Sequence, residues 1–561
     1  MDAEAISRWQ GLRRRPATIR ARHALWGGAL IVIGGLGCDA SGGGPAPPMP
    51  DCAYGAGALV TETLPLTESQ RAAIPIGHVI VAMKENRSFD HLLGRLAESG
   101  QPDAEAIPAS FGNRDKSGAL VTPHRLDTTC VNQDPGHQWA EMHRQVNHGA
   151  MDGFVVNGAD TTGGDGHFVL GTYEADDLPF YYWLASTYAL SDRHFASARS
   201  GTFPNRNFLL LGTADGVMCT GCGYPKPSTP TIFDSLDAAG VTWAAYSNGE
   251  PFDGTLAWGA DHPGVHTFAE FQAALADGTL PQVAFVDGVG YVQDEHPTAD
   301  VQIGEAWTRV VYQAVASSPL WPTAALVWTY DEGGGFGDHL PPPEHACIAR
   351  PGNPADTAFF ELGVRIPLAV VSPYARPHYV SHVVHDHTAI TRFIEAVFNL
   401  PALTARDANS DALLDMFDFS APSLLAPPAP PPAGTGGCHG NIVLATDQPT
   451  YPSLPSTAIQ VMFSGVPTPG ARDRIGAYRY GDVPSENNRQ EPVAWGYIGG
   501  QGHTAAGAPA NGAVVLDAAS VAPGASWPLP AGLWIVYYLP ALANGSDGHS
   551  PSASIDFEMA P

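Results

Sequence analysis

Short apolar runs alternate along most of the chain with stretches whose apolar residues recur every three or four positions. The runs are residues 76–83, 242–246, 283–286, 324–330 and 367–371. They are near-continuous, the pattern of strands buried on both faces. Residues 388–398 have the helical period. Residues 192–195 lie between two apolar stretches, and their pattern does not decide between strand and helix. Strands separated by helices predict an α/β core over residues 71–424, with a largely parallel sheet between helices. Residues 425–437 are nearly all Pro, Ala and Gly and read as a linker. Beyond it come seven short strand candidates between turn residues: 442–444, 459–463, 475–478, 494–498, 513–516, 533–539 and 555–559. That spacing predicts an antiparallel β-sandwich over residues 438–561.

The first residues have a different character. Arg13, Arg14, Arg15, Arg20 and Arg22 precede an apolar, Gly-rich stretch, 24–36, too short to span a bilayer comfortably. Gly35-Leu36-Gly37-Cys38 resembles a lipobox, with Gly35 where an aliphatic residue is usual. Residues 1–38 are therefore expected to be an export signal with Cys38 as the lipidated residue, and 39–70 a tether and lead-in. The expected location is the periplasm, the cell envelope as a lipoprotein, or the medium. Setting Cys38 aside, Cys52, Cys130, Cys219, Cys222, Cys347 and Cys438 remain, an even set that suits disulfides in an exported protein. Cys219 and Cys222 lack the second pair a zinc site needs and read as a local disulfide. The formal charge of −28 argues against nucleic acid as a partner.

Candidate chemistry sits where apolar runs end. The first run passes into Glu85-Asn86, with Ser88 placed to cap a following helix. The run at 324–330 passes into Asp331-Glu332 and then Gly333-Gly334-Gly335, whose freedom lets backbone approach something closely. Strand carboxyl ends are where open α/β sheets bind ligands. Glu85, Asn86, Asp331 and Glu332 all coordinate through oxygen, which favours Ca²⁺, Mg²⁺ or Mn²⁺. Nearby histidines leave iron or zinc open. Thr202 stands in Gly201-Thr202-Phe203-Pro204-Asn205-Arg206, and a helix is expected to start near Asn205. Just before a helix N-terminus, Thr202 would face bound anions. The plainer reading makes it an N-cap-like turn residue. His137, His296 and His387 each lie in a polar loop beside a carboxylate that can orient an imidazole.

Taken together these segments resemble the phosphoesterase family of bacterial phospholipases C and acid phosphatases, over roughly residues 75–420. Glu85-Asn86-Arg87-Ser88-Phe89-Asp90-His91 and Tyr330-Asp331-Glu332-Gly333-Gly334-Gly335-Phe336-Gly337-Asp338-His339 are similar to two of its signatures. Gly201-Thr202-Phe203-Pro204-Asn205-Arg206, Asp294-Glu295-His296-Pro297 and Asp386-His387-Thr388 are similar to three further blocks. The resemblance implies an alkaline-phosphatase-like core and metal ligation by Glu85, Asn86, Asp331 and Glu332. It implies Thr202 as nucleophile, with His137 and His296 at the phosphate. Asn205, Arg206, Asp338, His339 and His387 would neighbour the substrate or the ligands. The Thr202 turn is also similar to the sulfatase pattern, but Thr cannot become formylglycine. Ser200 before Gly201 and Leu92-Leu93 after His91 depart from the family pattern. Arg474-Ile475-Gly476-Ala477-Tyr478 with Trp495-Gly496-Tyr497 resembles an immunoglobulin-like module.

The expected function is an exported, metal-dependent phosphoesterase working through a phosphothreonine, phospholipase C-like. Its partners would be a phosphate ester, including phospholipid, and a membrane reached through the N-terminal lipid. An acid phosphatase is the first alternative, and a non-catalytic surface binding protein is the second.

Overall fold

Among the described residues, eight strands form the central sheet. They are β1 (His78–Lys84), β2 (Ala189–Ser191), β3 (Trp243–Ser247), β4 (Val265–Thr267), β5 (Val283–Asp287), β6 (Ala324–Tyr330), β7 (Leu368–Val371) and β8 (Val380–Ser381). Their order across the sheet is β8-β2-β7-β6-β1-β5-β3-β4. β7 is antiparallel to its neighbours β6 and β2, and the other seven run one way. This is a mixed α/β fold around a mostly parallel sheet. The computed structural model describes residues 52–560 except 132, 248–261, 291, 435–442, 449, 465, 467–468, 480–481, 483, 485–488, 501–502, 508, 510, 543–546 and 549–552. The expected export signal with Cys38, the tether before Cys52, and Cys438 lie outside the described residues.

The long apolar runs become the central strands. β6 is buried along its whole length, and β1 from Val79 onward. The pattern left out β2, β4 and β8, which have only two or three residues each, too few for a periodicity to register. Residues 192–195 follow β2 and are neither strand nor helix, making only isolated bridges at His194 and Phe195.

Four helices bear on the chemistry: α1 (Phe89–Leu93), α2 (Thr202–Leu211), α3 (Val301–Ala316) and α4 (His387–Phe398). Ser88 caps α1 by accepting from the His91 N–H at 3.3 Å, as the sequence suggests. α2 corrects an expectation, because it starts at Thr202 and not near Asn205. Asn205 instead folds the preceding loop against the first turn. Its Nδ2 donates to the carbonyls of Ser200 at 2.8 Å and Gly201 at 3.0 Å, and its Oδ1 accepts from the Ala198 N–H at 2.7 Å. Gly201 is the N-cap, with no side-chain cap. Among the described residues no helix is long and apolar enough to cross a membrane.

The Pro-rich segment after Leu424 runs along α3. Prolines supply carbonyls without matching N–H groups, and such carbonyls need outside donors. Tyr312 OH donates to Pro428 O at 2.6 Å and Arg309 Nε to Pro431 O at 2.7 Å. Trp321 Nε1 reaches Leu425 O at 3.0 Å, and Glu305 Oε2 accepts from the Gly434 N–H at 2.7 Å.

The C-terminal strands are β9 (Val443–Thr446), β10 (Thr450–Pro452), β11 (Ile459–Ser464), β12 (Arg474–Arg479), β13 (Ala494–Tyr497), β14 (Gly512–Leu516), β15 (Gly532–Leu539) and β16 (Ala553–Ala560). They form one sheet in the order β9-β11-β14 and another in the order β10-β16-β15-β12-β13. The two sheets share an apolar cluster that includes Ile459, Val461, Phe463, Ile475, Trp534, Val536 and Tyr538. β15 is apolar on both faces. Trp534, Val536 and Tyr538 enter that cluster, whereas Ile535, Tyr537 and Leu539 join the cluster of the central sheet. Disulfides join Cys52 to Cys347 and, as the spacing suggests, Cys219 to Cys222. Cys130 is also disulfide-bonded.

Candidate active site

Lys84 pairs with Tyr330 across β1 and β6, so Glu85-Asn86 and Asp331-Glu332 leave the sheet side by side. Asn86 takes a left-handed backbone, φ +64°, which Asn tolerates better than most residues. Its N–H donates to Asp331 Oδ1 at 3.0 Å. The glycine run closes over this turn. A Cβ on Gly334 would lie 2.1 Å from the Asn86 carbonyl oxygen, and one on Gly335 2.9 Å from Pro135 Cβ. The run thereby packs the loop carrying His137 against Asn86.

Four groups meet the Asn86 amide. On one side are Asp331 Oδ1 and Glu332 Oε1, 3.1 Å and 2.9 Å away; on the other are the Nε2 atoms of His296 at 3.0 Å and His137 at 3.2 Å. Turned one way, Nδ2 donates to the carboxylates and Oδ1 accepts from imidazolium. Turned the other way, Nδ2 donates to neutral imidazoles and Oδ1 converges on carboxylate oxygens. The charge state of the rings decides between them, since imidazolium and one neutral tautomer both carry a hydrogen on Nδ1. His137 Nδ1 is 2.7 Å from Pro135 O and His296 Nδ1 is 2.5 Å from Pro297 O, so each Nδ1 carries the hydrogen. Burial also lowers the His137 pKa, favouring the neutral ring. With His137 neutral, its Nε2 accepts from the amide nitrogen at 3.2 Å, and the amide oxygen faces the carboxylates. Oxygens converging at such distances call for a cation between them.

The charges agree with that conclusion. Glu85, Asp287 and Asp331 gather near Arg206, which reaches Glu85 Oε1 at 3.0 Å and Asp287 Oδ1 at 3.1 Å, and Glu332 adds its charge beside Asp331. One guanidinium does not balance four carboxylates. Burial, and then the charge of Glu85, pushes the Asp331 pKa up to about 7. Burial and then Asp331 push Glu332 well above the carboxylate range. A divalent cation would restore both ionised forms. The oxygens of Asn86, Asp331 and Glu332 meet as a hard cation would require, whereas the Glu85 carboxylate is turned to Arg206. Ligand atoms of Asp134, His137 and His296 also lie within 4.8 Å of one another, so imidazole donors stand close by.

Thr202 joins this group from α2. Its Oγ1 is 3.5 Å from the Asn86 amide oxygen, and its hydroxyl is close enough to Asp331 to favour that carboxylate's ionised form. As the first helical residue it stands where first-turn N–H groups have no partner within the helix.

Other expected residues fall around this group. Arg206 is at the site, and Asn205 shapes the loop that presents Thr202. His387 opens α4 and binds the end of β6, with Nε2 2.9 Å from Tyr330 O. Burial holds its pKa down to about 4. Asp338 and His339 belong to a different cluster. His339 Nδ1 is 2.8 Å from Asp90 Oδ2, and Arg365 bridges Asp90 at 2.7 Å and Asp338 at 3.2 Å. That cluster ties α1 to the glycine-rich loop.

Sequence reasoning missed Asp287 and Glu295. Asp287 ends β5 beside β1, a strand-end position like that of Glu85. Glu295, φ +74°, is buried next to His296. Its carboxylate takes Lys84 Nζ at 2.9 Å and Tyr330 OH at 2.6 Å, and its carbonyl takes Arg87 Nη2 at 2.7 Å. A Cβ on Gly304 of α3 would lie 2.1 Å from Glu295 Cγ, so only glycine leaves the carboxylate its place. Glu295 thus holds His296 in register.

The profile of the Phosphoesterase family matches residues 76–401. Phospholipase C A of Mycobacterium tuberculosis (strain ATCC 25618 / H37Rv) is 30% identical over 482 residues, covering 73% of this chain and 89% of that protein. Non-specific phospholipase C6 of Arabidopsis thaliana is 31% identical over 385 residues, covering 62% of this chain and 74% of that protein.

Proposed function

This chain belongs to the Phosphoesterase family, and from that premise we propose an exported, cation-dependent phospholipase C-like enzyme that works through a phosphothreonine at Thr202. Membership makes it a phosphoric ester hydrolase. The choice of phospholipid rests on relatives named phospholipases C on both sides of a wide divide, bacterial and plant. An alkaline-phosphatase-like core, a C-terminal sandwich and a lipid on Cys38 belong to the same reading.

One observation carries the mechanism: Thr202 Oγ1, at the start of α2, stands 3.5 Å from the amide of Asn86, whose N–H is bound to the Asp331 carboxylate. A cation held by Glu85, Asn86, Asp331 and Glu332 would neutralise phosphoryl charge and ease ionisation of a hydroxyl. Asp331 accepts the Thr202 proton as Oγ1 attacks phosphorus. First-turn N–H groups of α2 face the charge that develops there. The bond from phosphorus to the leaving alcohol breaks, and that alcohol takes a proton from His137 or His296. Either imidazole must first be protonated at Nε2. Water then attacks phosphorus and gives a proton to the imidazole that lost one. The bond from phosphorus to Thr202 Oγ1 breaks, Oγ1 regains its proton from Asp331, and the phosphorylated product leaves.

For a phospholipid the leaving alcohol is diacylglycerol. The test offers the full-length protein phosphatidylcholine vesicles and p-nitrophenyl phosphate in parallel. Release of diacylglycerol with phosphocholine at the higher kcat/KM is expected. Preference for the monoester with no diacylglycerol would replace this reading by an acid phosphatase.

A further inference from the structure

A second set of ligand atoms lies at the carboxyl end of the sheet, beyond the Thr202 group. β2 is two strands from β6, and its last residue, Ser191, faces the loop after β8. His385 in that loop is 1% exposed. Ser191 Oγ is 3.0 Å from His385 Nδ1, which orients the ring and points Nε2 at two carboxylates. Nε2 lies 3.4 Å from Asp411 Oδ1 and 4.0 Å from Asp415 Oδ1, and it has no hydrogen-bond partner. Asp415 Oδ1 is likewise buried without one. The other Asp415 oxygen is held by Tyr379 OH at 3.1 Å and Ser381 Oγ at 2.5 Å, which aims Oδ1 at His385. Asp411 Oδ1 is fixed by the Leu413 N–H at 2.8 Å.

An imidazolium paired with a carboxylate would draw it to about 2.7–3.2 Å. Here both approaches are longer. Ligands bound to one cation at about 2.1 Å stand roughly 3–3.5 Å apart; the Asp411 approach of 3.4 Å lies in that range and the Asp415 approach of 4.0 Å is longer. The cluster of Asp90, Asp338 and His339 offers the contrast, because the Arg365 guanidinium already supplies its cation. The Asp411 and Asp415 side chains are 34% and 25% exposed, so a solute can reach the group. A cavity of about 410 Å³ opens beside His385 and Asp411.

We propose that His385 Nε2, Asp411 and Asp415 form a second divalent-cation site, separate from the one at Thr202, that takes Zn²⁺ or a similar first-row ion. One neutral imidazole and two carboxylates balance the double charge. Positions left open on the ion face the cavity and solvent, where water completes the coordination.

The experiment uses crystals of the full-length protein soaked in Zn²⁺ and zinc content after dialysis against Zn²⁺. An anomalous peak within coordination distance of His385 Nε2, Asp411 and Asp415 is expected. The paired change Asp411→Asn with Asp415→Asn should lower zinc content by one equivalent per chain. Ser191→Ala should weaken that equivalent by about 10–100-fold, as loss of an orienting partner does. Turnover of p-nitrophenyl phosphate should persist in both variants. No peak at His385, or zinc content untouched by the paired change in folded protein, overturns the proposal. Should that variant fail to fold, the anomalous map of the unmodified protein decides alone.

Discussion

Thr202 occupies the first position of α2, where its side chain makes no cap, so its removal costs the helix little. Its hydroxyl lies 3.5 Å from the Asn86 amide oxygen and beside Asp331, whose carboxylate a bound cation would keep ionised. Thr202→Ala is expected to lower kcat by ~10⁴-fold or more while changing stability by under ~1 kcal/mol. Near-normal turnover in a folded, cation-loaded variant would remove Thr202 from the chemistry. A chiral phosphorus should leave with retained configuration, since two in-line displacements cancel. Cation removal acts on the same residues. Prolonged chelation should abolish turnover, with recovery on adding back the ion. Full activity in protein shown by elemental analysis to hold no metal would refute ligation by Glu85, Asn86, Asp331 and Glu332. That the two pairs leave the sheet side by side was legible, because each directly follows a long buried run. Arg206 was legible as a member of its motif, but its direction was not. It pairs with Asp287, 81 positions away, and a lone acid at the end of a short run carries no local mark.

At the scale of elements, the glycine run after β6 fixes where Asn86 stands. Gly334 has φ +62°, and a Cβ there would lie 2.1 Å from the Asn86 carbonyl oxygen. Gly334→Ala is expected to cost at least ~2 kcal/mol and to weaken cation binding, read by thermal melts with and without the ion. An unshifted melt would mean that the loop relaxes freely. The Asp90, Asp338, His339 and Arg365 cluster joins the same loop to α1, and it titrates. Burial alone would lower the His339 pKa, but the carboxylates of Asp90 and Glu105 outweigh it and raise it to about 9. The folded value thus exceeds the ordinary ~6.5. The imidazolium stabilises the fold fully below that lower value, and the contribution fades as pH rises through the higher one. Urea midpoints should therefore fall between about pH 6.5 and 9. In His339→Gln that slope should flatten, and an unaltered slope would assign it to another group. The resemblance set Asp338 and His339 beside the substrate or the ligands because they sit in a motif. Their partners are elsewhere in the chain, at Asp90 and Arg365, and no spacing rule reports such pairing.

At the scale of the whole molecule, the periodic signal tracked burial. The long runs became the sheet's interior strands, whereas β2, β4 and β8 escaped notice. The change of pattern after the Pro-rich segment marked a real change of architecture, and seven of the eight C-terminal strands described were legible from it; β10, of three residues, was not. The double burial of β15 was not legible, because an unbroken apolar run does not say what covers each face. Ile535, Tyr537 and Leu539 pack with the central sheet's cluster, and α3 holds the Pro-rich segment through Tyr312, Arg309 and Glu305, with Trp321 just beyond its end. Ending the chain at Leu425 would uncover apolar surface and leave those donors and acceptors without their partners. The truncated chain should melt lower than the full one by about 5 °C or more, yet keep its turnover per folded molecule, since no residue placed at the Thr202 site lies beyond Leu425. Extending the truncation point to Gly434 should recover part of the loss, because it restores the hydrogen bonds along α3 but not the face of β15. Differential scanning calorimetry of the three chains checks this ordering. Equal melting temperatures would show instead that the C-terminal sheets fold and unfold without reference to the catalytic core.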